Sequence, residues 1–274
     1  MTIKVVTYNI QYGIGLDGNY DLGRIADAVR DADIIAFQEV TRGFMKNGGR
    51  DMVAELEALL PDRFSVHHMP ADVDFGSRIE DGKAVQVRFQ FGNMIMSRWP
   101  VLSARGHLLP RSMRTSELNL QRGALEALIE TPAGALRFYS VHLDHIDPDE
   151  RISQIGALKE IAFSVPRTGM AVTGLGEFGF EELPQAEDFL LLGDFNLEPD
   201  LAEYRDMLSE NGHLVDASAR DSGWSWTDPE KKQPKKRLDY GFATPALAER
   251  VNHVEIDQGA TGSDHMPVWL HIGA

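Results

Sequence analysis

Metal-ligating and acid–base side chains recur in this chain at the ends of short apolar runs. Asn9 closes the run from Ile3, and Glu39 closes Ile34-Ile35-Ala36-Phe37-Gln38. His142 ends Arg137-Phe138-Tyr139-Ser140-Val141, and Asp194 and Asn196 follow Phe189 to Gly193. Asp239 lies in Arg237-Leu238-Asp239-Tyr240, and Asp264 with His265 precedes Met266-Pro267-Val268. A single Asp or Asn at a strand end is most often a turn former, and a lone His most often a structural hydrogen-bonder. The repetition carries the reading. Carboxylate and amide oxygens suit a hard divalent cation such as Mg²⁺. Phosphoryl transfer asks for such a cation, an oriented water and an acid for the leaving oxygen. The chain has no cysteine, which excludes disulfides, thiolate zinc sites and cysteine nucleophiles.

These residues need a scaffold that brings strand ends together, as open α/β sheets do. Ile3 to Asn9 alternates as a strand, and Asp33 to Phe37 reads as a short buried one. Further strands are expected over Met94 to Ser97, Gly123 to Ile129, Leu136 to Val141, Phe189 to Leu192, Leu238 to Ala243 and Val268 to Ile272. Helices are expected from the cap Asp21 to about Ala32, over Met52 to Leu60, from Asp149 to about Phe163, and from Leu201 to about Leu208. Many strands adjoin without a helix between them. That predicts α/β architecture with two mixed sheets packed face to face and helices outside. No repeat or linker cuts the chain, so residues 1–274 are expected to form one catalytic domain. Pro70 to Gly92 and Val165 to Asp188 read as long loops, either functional or decorative.

Of the 274 residues, 42 are Asp or Glu and 27 are Lys or Arg, a net charge of −15. That field repels phosphate backbones at long range and disfavours nucleic acid as a partner. It does not exclude one, because a bound cation and a few arginines can reverse the sign within a cleft. Arg42, Arg50, Arg111, Arg114 and the basic run Lys231 to Arg237 are the candidates for that. With 43% hydrophobic and 25% charged residues, the composition is that of a soluble globular protein whose core needs no staples. No stretch approaches the ~18 apolar residues of a membrane span. Met1 to Ile10 runs directly into a strand pattern with no leader signature. A cytoplasmic monomer is the expectation.

The sequence resembles the endonuclease/exonuclease/phosphatase superfamily with the DNase I-like fold. The resemblance rests on Thr7-Tyr8-Asn9-Ile10, Phe37-Gln38-Glu39-Val40, Gly92 to Pro100, Ser140-Val141-His142-Leu143, Gly193-Asp194-Phe195-Asn196, Arg237 to Tyr240 and Gly262 to Val268. These stretches fall in the family's order and span residues 7 to 268. The resemblance implies a four-layer sandwich and a Mg²⁺-dependent phosphoric ester hydrolase, with Mn²⁺ able to substitute. It casts Glu39 as the principal metal carboxylate, with Asn9 beside it and Asp264 completing the site. Asp194 and Asn196 would orient the attacking water and hold a phosphate oxygen, and Asp239 would orient His265. Arg122 would offer a phosphate fork. His142 is similar to the histidine of DNase I, neutral sphingomyelinases and inositol-polyphosphate phosphatases; exonuclease III-like abasic-site nucleases usually place a tyrosine there. It suits a general acid. His145 is assigned no role. The favoured substrate is a small or lipid-derived phosphate ester, and the alternative is DNA or RNA. A binding module that has kept only the fold would need a lost catalytic position, and none is lost.

Overall fold

The computed structural model describes residues 2–208 and 213–273. In chain order its first half contains β1 (Thr2–Asn9), α1 (Leu22–Val29), β2 (Ile34–Arg42), α2 (Met52–Leu59), β3 (Phe64–Asp74), β4 (Arg78–Glu80), β5 (Lys83–Val85), β6 (Arg88–Ser97), β7 (Val101–Leu108) and β8 (Gly123–Thr131). The second half contains β9 (Gly134–His142), α3 (Pro148–Thr168), β10 (Phe189–Asp194), α4 (Ala202–Met207), β11 (Val215–Asp216), β12 (Asp239–Ala243), α5 (Pro245–Glu249), β13 (Val251–Ile256) and β14 (Val268–Gly273).

Two six-stranded sheets result, in the orders β13-β14-β1-β2-β6-β3 and β11-β12-β10-β9-β8-β7. Both are mixed: β1 pairs parallel with β2 and antiparallel with β14, and β10 pairs parallel with β9 and antiparallel with β12. The central strands are apolar on both faces because both faces are covered. Ile3 and Val5 of β1 point into the sandwich, where they meet Phe138, Leu190 and Leu192 of the other sheet. Val6 and Tyr8 point outward onto Ile25 and Val29 of α1 and Leu56 of α2. On the far side Tyr139, Leu191 and Phe242 pack under Ile155, Leu158 and Ala162 of α3. The layers therefore run helix, sheet, sheet, helix, as the sequence predicts.

Several elements differ from expectation. Pro70 to Gly92 is not a loop: β3 extends to Asp74, β4 and β5 form a hairpin, and β6 starts at Arg88 rather than Met94. β7, β11, β13 and α5 were not anticipated. α3 runs five residues past Phe163, through Pro166. A proline inside a helix orphans the carbonyl four residues earlier. Here that carbonyl, on Ala162, accepts from Arg137 Nη1 at 2.8 Å. Arg137 is fully buried and also donates to the carbonyls of Ala186 (2.6 Å) and Glu187 (2.9 Å), pinning the end of the 169–188 segment to β9.

Candidate active site

Strand register gathers the polar residues at one rim. In the second sheet Gly123 sits opposite His142, His142 opposite Asp194, and Asp194 opposite Asp239. Arg122 thus precedes a row of three strands that carry an imidazole and two carboxylates side by side. Asp239 begins β12 rather than following a strand; because β12 runs antiparallel to β10, its start lies at the same rim as the end of β10. In the first sheet Asn9 lies opposite Gln38. The two rims are joined through Asn9 Nδ2, which donates to Asp194 Oδ2 at 2.9 Å and to Glu39 Oε1 at 3.3 Å. Asn9 Oδ1 accepts from the Gln11 amide at 3.0 Å. Gly193 is required immediately before Asp194: a Cβ there would stand 1.9 Å from the Val141 carbonyl oxygen.

Glu39 does not end β2. The strand continues to Arg42, and the register against β6 slips between Gln38 and Val40. Glu39 occupies this bulge with φ of 60°, a conformation uncommon for a residue with a side chain. A bulge re-aims a side chain relative to its neighbours. Here it carries the carboxylate towards Asn9 and the cleft.

Asp194 Oδ2 is a hub. Besides Asn9, it lies 3.4 Å from His142 Nε2 and 3.6 Å from His265 Nε2. Burial, with the Asp239 charge added, pushes the Asp194 carboxyl up to about 7 against the opposing pull of His265. His265 Nδ1 is 2.8 Å from Asp239 Oδ2. Burial alone would lower the His265 pKa, but the Asp239 and Asp194 carboxylates hold it well above the ordinary value. His142 goes the opposite way: burial, the Arg122 guanidinium and His265 hold it well below. The two imidazoles on one rim are therefore biased in opposite directions, His265 towards the cation and His142 towards the neutral ring.

Asp264 accepts from Trp226 Nε1 at 3.1 Å. Burial pushes its carboxyl up, and burial followed by the Asp264 charge does the same to Glu39. Among the described residues neither Glu39 nor Asp264 has an ion-pair partner. Two neighbouring carboxylates held against burial and each other, with hard oxygen donors and no thiolate, form a donor set that fits a divalent cation. A second candidate group, Asp194, Asp239 and His265, has its ligand atoms within 4.8 Å of one another. Its closest contact is the Asp239–His265 hydrogen bond, which occupies Nδ1.

Arg122 is buried; its Nη1 lies 3.0–3.1 Å from the two ring nitrogens of His142 and its Nη2 3.0 Å from His145 Nδ1. Asn196 is held by its amide to Asp194 Oδ1 and by Nδ2 to the Leu143 carbonyl, at φ of 52°. Three residues at the rim had no role in the sequence reading. His145 contacts Arg122. Ser225 donates to Asp239 Oδ2 at 2.7 Å, and Trp226 holds Asp264. His145 stands three residues from His142; no family stretch or strand end marks Ser225 or Trp226. Glu39, Arg122, His142, Asp194, Asp264 and His265 border one cleft of about 600 Å³, whose lining also includes phenylalanines and Gln233 and Lys236 of the basic run.

Residues 6–265 match the Endonuclease/Exonuclease/phosphatase family. The chain belongs to that family. It is accordingly a hydrolase with the DNase I-like sandwich. Solved structures agree on the fold. An endonuclease/exonuclease/phosphatase from Beutenbergia cavernae superposes with a TM-score of 0.71 at 21% identity, covering 100% of this chain and 72% of that one. A mannosyl-6-phosphatase from Bacteroides thetaiotaomicron gives 0.66 at 18% identity over 98% of each chain. A 3′ phosphatase from Neisseria, bound to a product DNA hairpin, gives 0.62 at 16% identity over 99% of this chain and 100% of that one. No curated protein matches the sequence. Among the described residues no helix is long and apolar enough to cross a membrane.

Proposed function

We propose that residues 1–274 form a single Mg²⁺-dependent phosphoesterase domain, with Mn²⁺ able to substitute, that acts on a small or lipid-derived phosphate ester. The observation that carries this reading is the convergence on one rim of unpaired carboxylates, Glu39 and Asp264, with an Asp194 hub that touches both His142 and His265. Glu39 and Asp264 would hold the cation, with Asn9 bridging Glu39 to Asp194. A cation bound there supplies charge for the phosphoryl oxygens and aligns the ester. The protein does the rest. Asp194, its carboxyl near 7, can accept a proton from an attacking water that Asn196 helps to orient. His265, kept cationic by Asp239, donates to a phosphoryl oxygen. Burial first, and then the Arg122 and His265 charges, disfavour the cationic form of His142 in the free protein. An arriving phosphate would offset those charges, so that the ring can pass to the leaving oxygen a proton taken from Asp194, 3.4 Å away. Arg122, already on His142, stabilises the phosphate from the same side.

The nuclease alternative draws on Lys236 and Gln233 at the cleft and on Lys235 over the Trp224 ring at 3.6 Å. Against it, the arginines that could have lined a groove are engaged internally. Arg42 pairs with Asp51, Arg50 with Glu55 and Arg114 with Asp144, and Arg111 donates to the Asn119 carbonyl. The test is a parallel assay on duplex DNA, abasic DNA, alkyl and aryl phosphodiesters and phosphomonoesters, with Mg²⁺ and with chelator. Hydrolysis of small esters that stops with chelator is expected. Faster cleavage of DNA than of any small ester, or unchanged activity in metal-free buffer, would refute the proposal.

A further inference from the structure

One wall of the cleft is made of aromatic rings. Phe75 stacks on Phe89 with centroids 5.4 Å apart, Phe89 meets Phe44 at 4.9 Å, and Phe44 meets Tyr12 edge-on at 5.0 Å. Phe91 continues the series from Phe89 to the His142 ring, 5.9 Å away, with the Arg122 guanidinium also over its face at 5.9 Å. Phe89 and Phe91 belong to a small apolar cluster separate from the sandwich core. The wall therefore begins at the reacting end of the cleft and reaches solvent at Phe75, which is 44% exposed; Met45, at 72%, extends it. Phe89 and Phe91 are themselves buried and form the floor of the wall, Phe44 is half-buried, and its open part is Phe75 and Met45; large apolar side chains left open beside a site mark a surface that a ligand covers.

Apart from the Tyr12 hydroxyl and the Lys46 ammonium, 5.5 Å from the Tyr12 ring centroid, the side chains of this wall carry no hydrogen-bonding group. A hydroxyl-rich alcohol, such as a sugar, would lose its water there without replacement, a cost that selects against it. An alkyl or aryl group would gain by burial. The cleft volume of about 600 Å³ lies within the range that encloses a ligand larger than phosphate alone.

Resting on the phosphoesterase reading above, we propose that the Phe44–Phe75–Phe89–Phe91 wall is a specificity subsite for the ester group, and that the substrate is a phosphate ester of a bulky apolar alcohol. The phosphate would lie at Arg122, His142 and His265, and the alkyl or aryl part along the rings towards Phe75. Such an ester could arrive as a soluble amphiphile or from a lipid surface.

Methyl-, butyl- and octylphosphonate cannot be hydrolysed and serve as probes. Their affinities for the Mg²⁺-equilibrated protein are read by titration calorimetry, using octylphosphonate below its micelle concentration. A buried methylene is worth up to about fourfold, so octylphosphonate should bind at least about tenfold tighter than butylphosphonate. Phe75→Ala, at an exposed position, should erase most of that gain and leave methylphosphonate binding unchanged; Phe75→Leu should restore it. Sedimentation with phosphatidylcholine vesicles carrying phosphatidic acid separates the sources. Vesicle binding that Phe75→Ala abolishes assigns a lipid surface, and monomer binding without sedimentation assigns a soluble ester. Affinity that is flat across the three phosphonates, absent for all of them, or weakened equally for all by Phe75→Ala overturns the subsite. The chain-length series persisting in a protein that hydrolyses no phosphate ester would overturn the phosphoesterase reading instead.

Discussion

Glu39→Gln should have opposite effects on the free and the metal-loaded protein. In the free protein the Glu39 carboxylate is disfavoured first by burial and then by the Asp264 charge, which His265 and Arg122 offset only in part; among the described residues it has no ion-pair partner, and it accepts a hydrogen bond from Asn9 at 3.3 Å. Glutamine keeps an oxygen for that bond and removes the charge. Relief of a poorly compensated buried charge is worth about 1–2 kcal/mol, at the low end of the cost of burying polar groups. At about 2 °C per kcal/mol for a chain of this size, the variant should melt ~2–4 °C above wild type in chelator. Magnesium reverses the order. A ligand at 100 times its Kd stabilises the native state by about 2.7 kcal/mol, so wild type should gain ~5 °C on addition of Mg²⁺. The variant, lacking the principal carboxylate, should gain little and lose turnover. Differential scanning calorimetry with and without Mg²⁺ decides the matter. A variant that melts below wild type in chelator, or that keeps the full Mg²⁺ shift, refutes the assignment of Glu39 as a metal carboxylate under strain.

Three other outcomes are expected. His142→Ala should lower turnover on an alkyl ester by about 10²- to 10⁴-fold and lose much less on a nitrophenyl ester, whereas His265→Ala should lose comparably on both; equal loss at His142 removes it as the general acid. Arg137→Met should cost about 3–5 kcal/mol in denaturant unfolding, because it strips the Ala162, Ala186 and Glu187 carbonyls of their donor, and it should open the 169–188 segment to protease; a cost below about 1 kcal/mol would mean that those carbonyls find other partners. Glu126 is buried on β8, which raises its pKa, but the His107 ring at 2.7 Å and the Arg105 guanidinium at 2.9 Å outweigh this and hold the carboxyl below its ordinary value. A depressed native pKa contributes stability that is complete above the unfolded value, about 4.3, and is lost as pH falls through the native one. The stability gap between wild type and Glu126→Gln should therefore be constant above about pH 5 and shrink below it. A gap that does not change down to pH 3 contradicts the ion-pair account.

The parts of the fold that could be read in advance are those whose signal is local. β1, β9 and β10 are buried on both faces, so their apolar runs announce them, and the polar residue that stops each run, Asn9, His142 or Asp194, falls at the rim by construction. β7 and β13 lie at or beside the outer margins of the sheets and are half exposed, so their patterns carry polar residues and read as connection. The β3–β6 ribbon was misread as a loop for the same reason: Asp72, Arg88 and Gln90 are hydrogen-bonded to one another on its exposed face. Pro166 suggests a helix end by the usual rule, and only a buried guanidinium on β9, 25 residues before Ala162, lets α3 pass it. Ser225 and Trp226 act through residues distant in sequence, Asp239 and Asp264, and no spacing rule connects them.

The bulge at Glu39 explains why a strand-end motif works when the residue is not at a strand end. Non-glycine residues with positive φ concentrate at this rim: Gln11 (41°), Tyr12 (44°), Glu39 (60°) and Asn196 (52°). Each such conformation costs about 1–3 kcal/mol and persists only where the surroundings over-determine it. The surroundings here do so. The Ile10 amide donates to the Gln38 carbonyl and Gly13 to Ile10, fixing the turn that carries Gln11 and Tyr12. Asn196 is tied at both its backbone amide and its side chain. Beneath the rim, Gln38 Nε2 donates to Ser140 Oγ, Ser140 Oγ to the Phe37 carbonyl, and Asn93 Nδ2 to the Gly123 and Ser140 carbonyls, so the sheets are stitched together by polar groups just under the site. A sandwich held by apolar packing alone could slide by a fraction of an ångström at little cost. One cross-linked by directional bonds beneath its rim cannot, and the Asn9 bridge from Glu39 to Asp194 depends on that fixed spacing. Strain in the rim and polar stitching beneath it are thus two halves of one arrangement, which fixes Asn9 between Glu39 and Asp194 and sets both His142 and His265 against the same Asp194 oxygen.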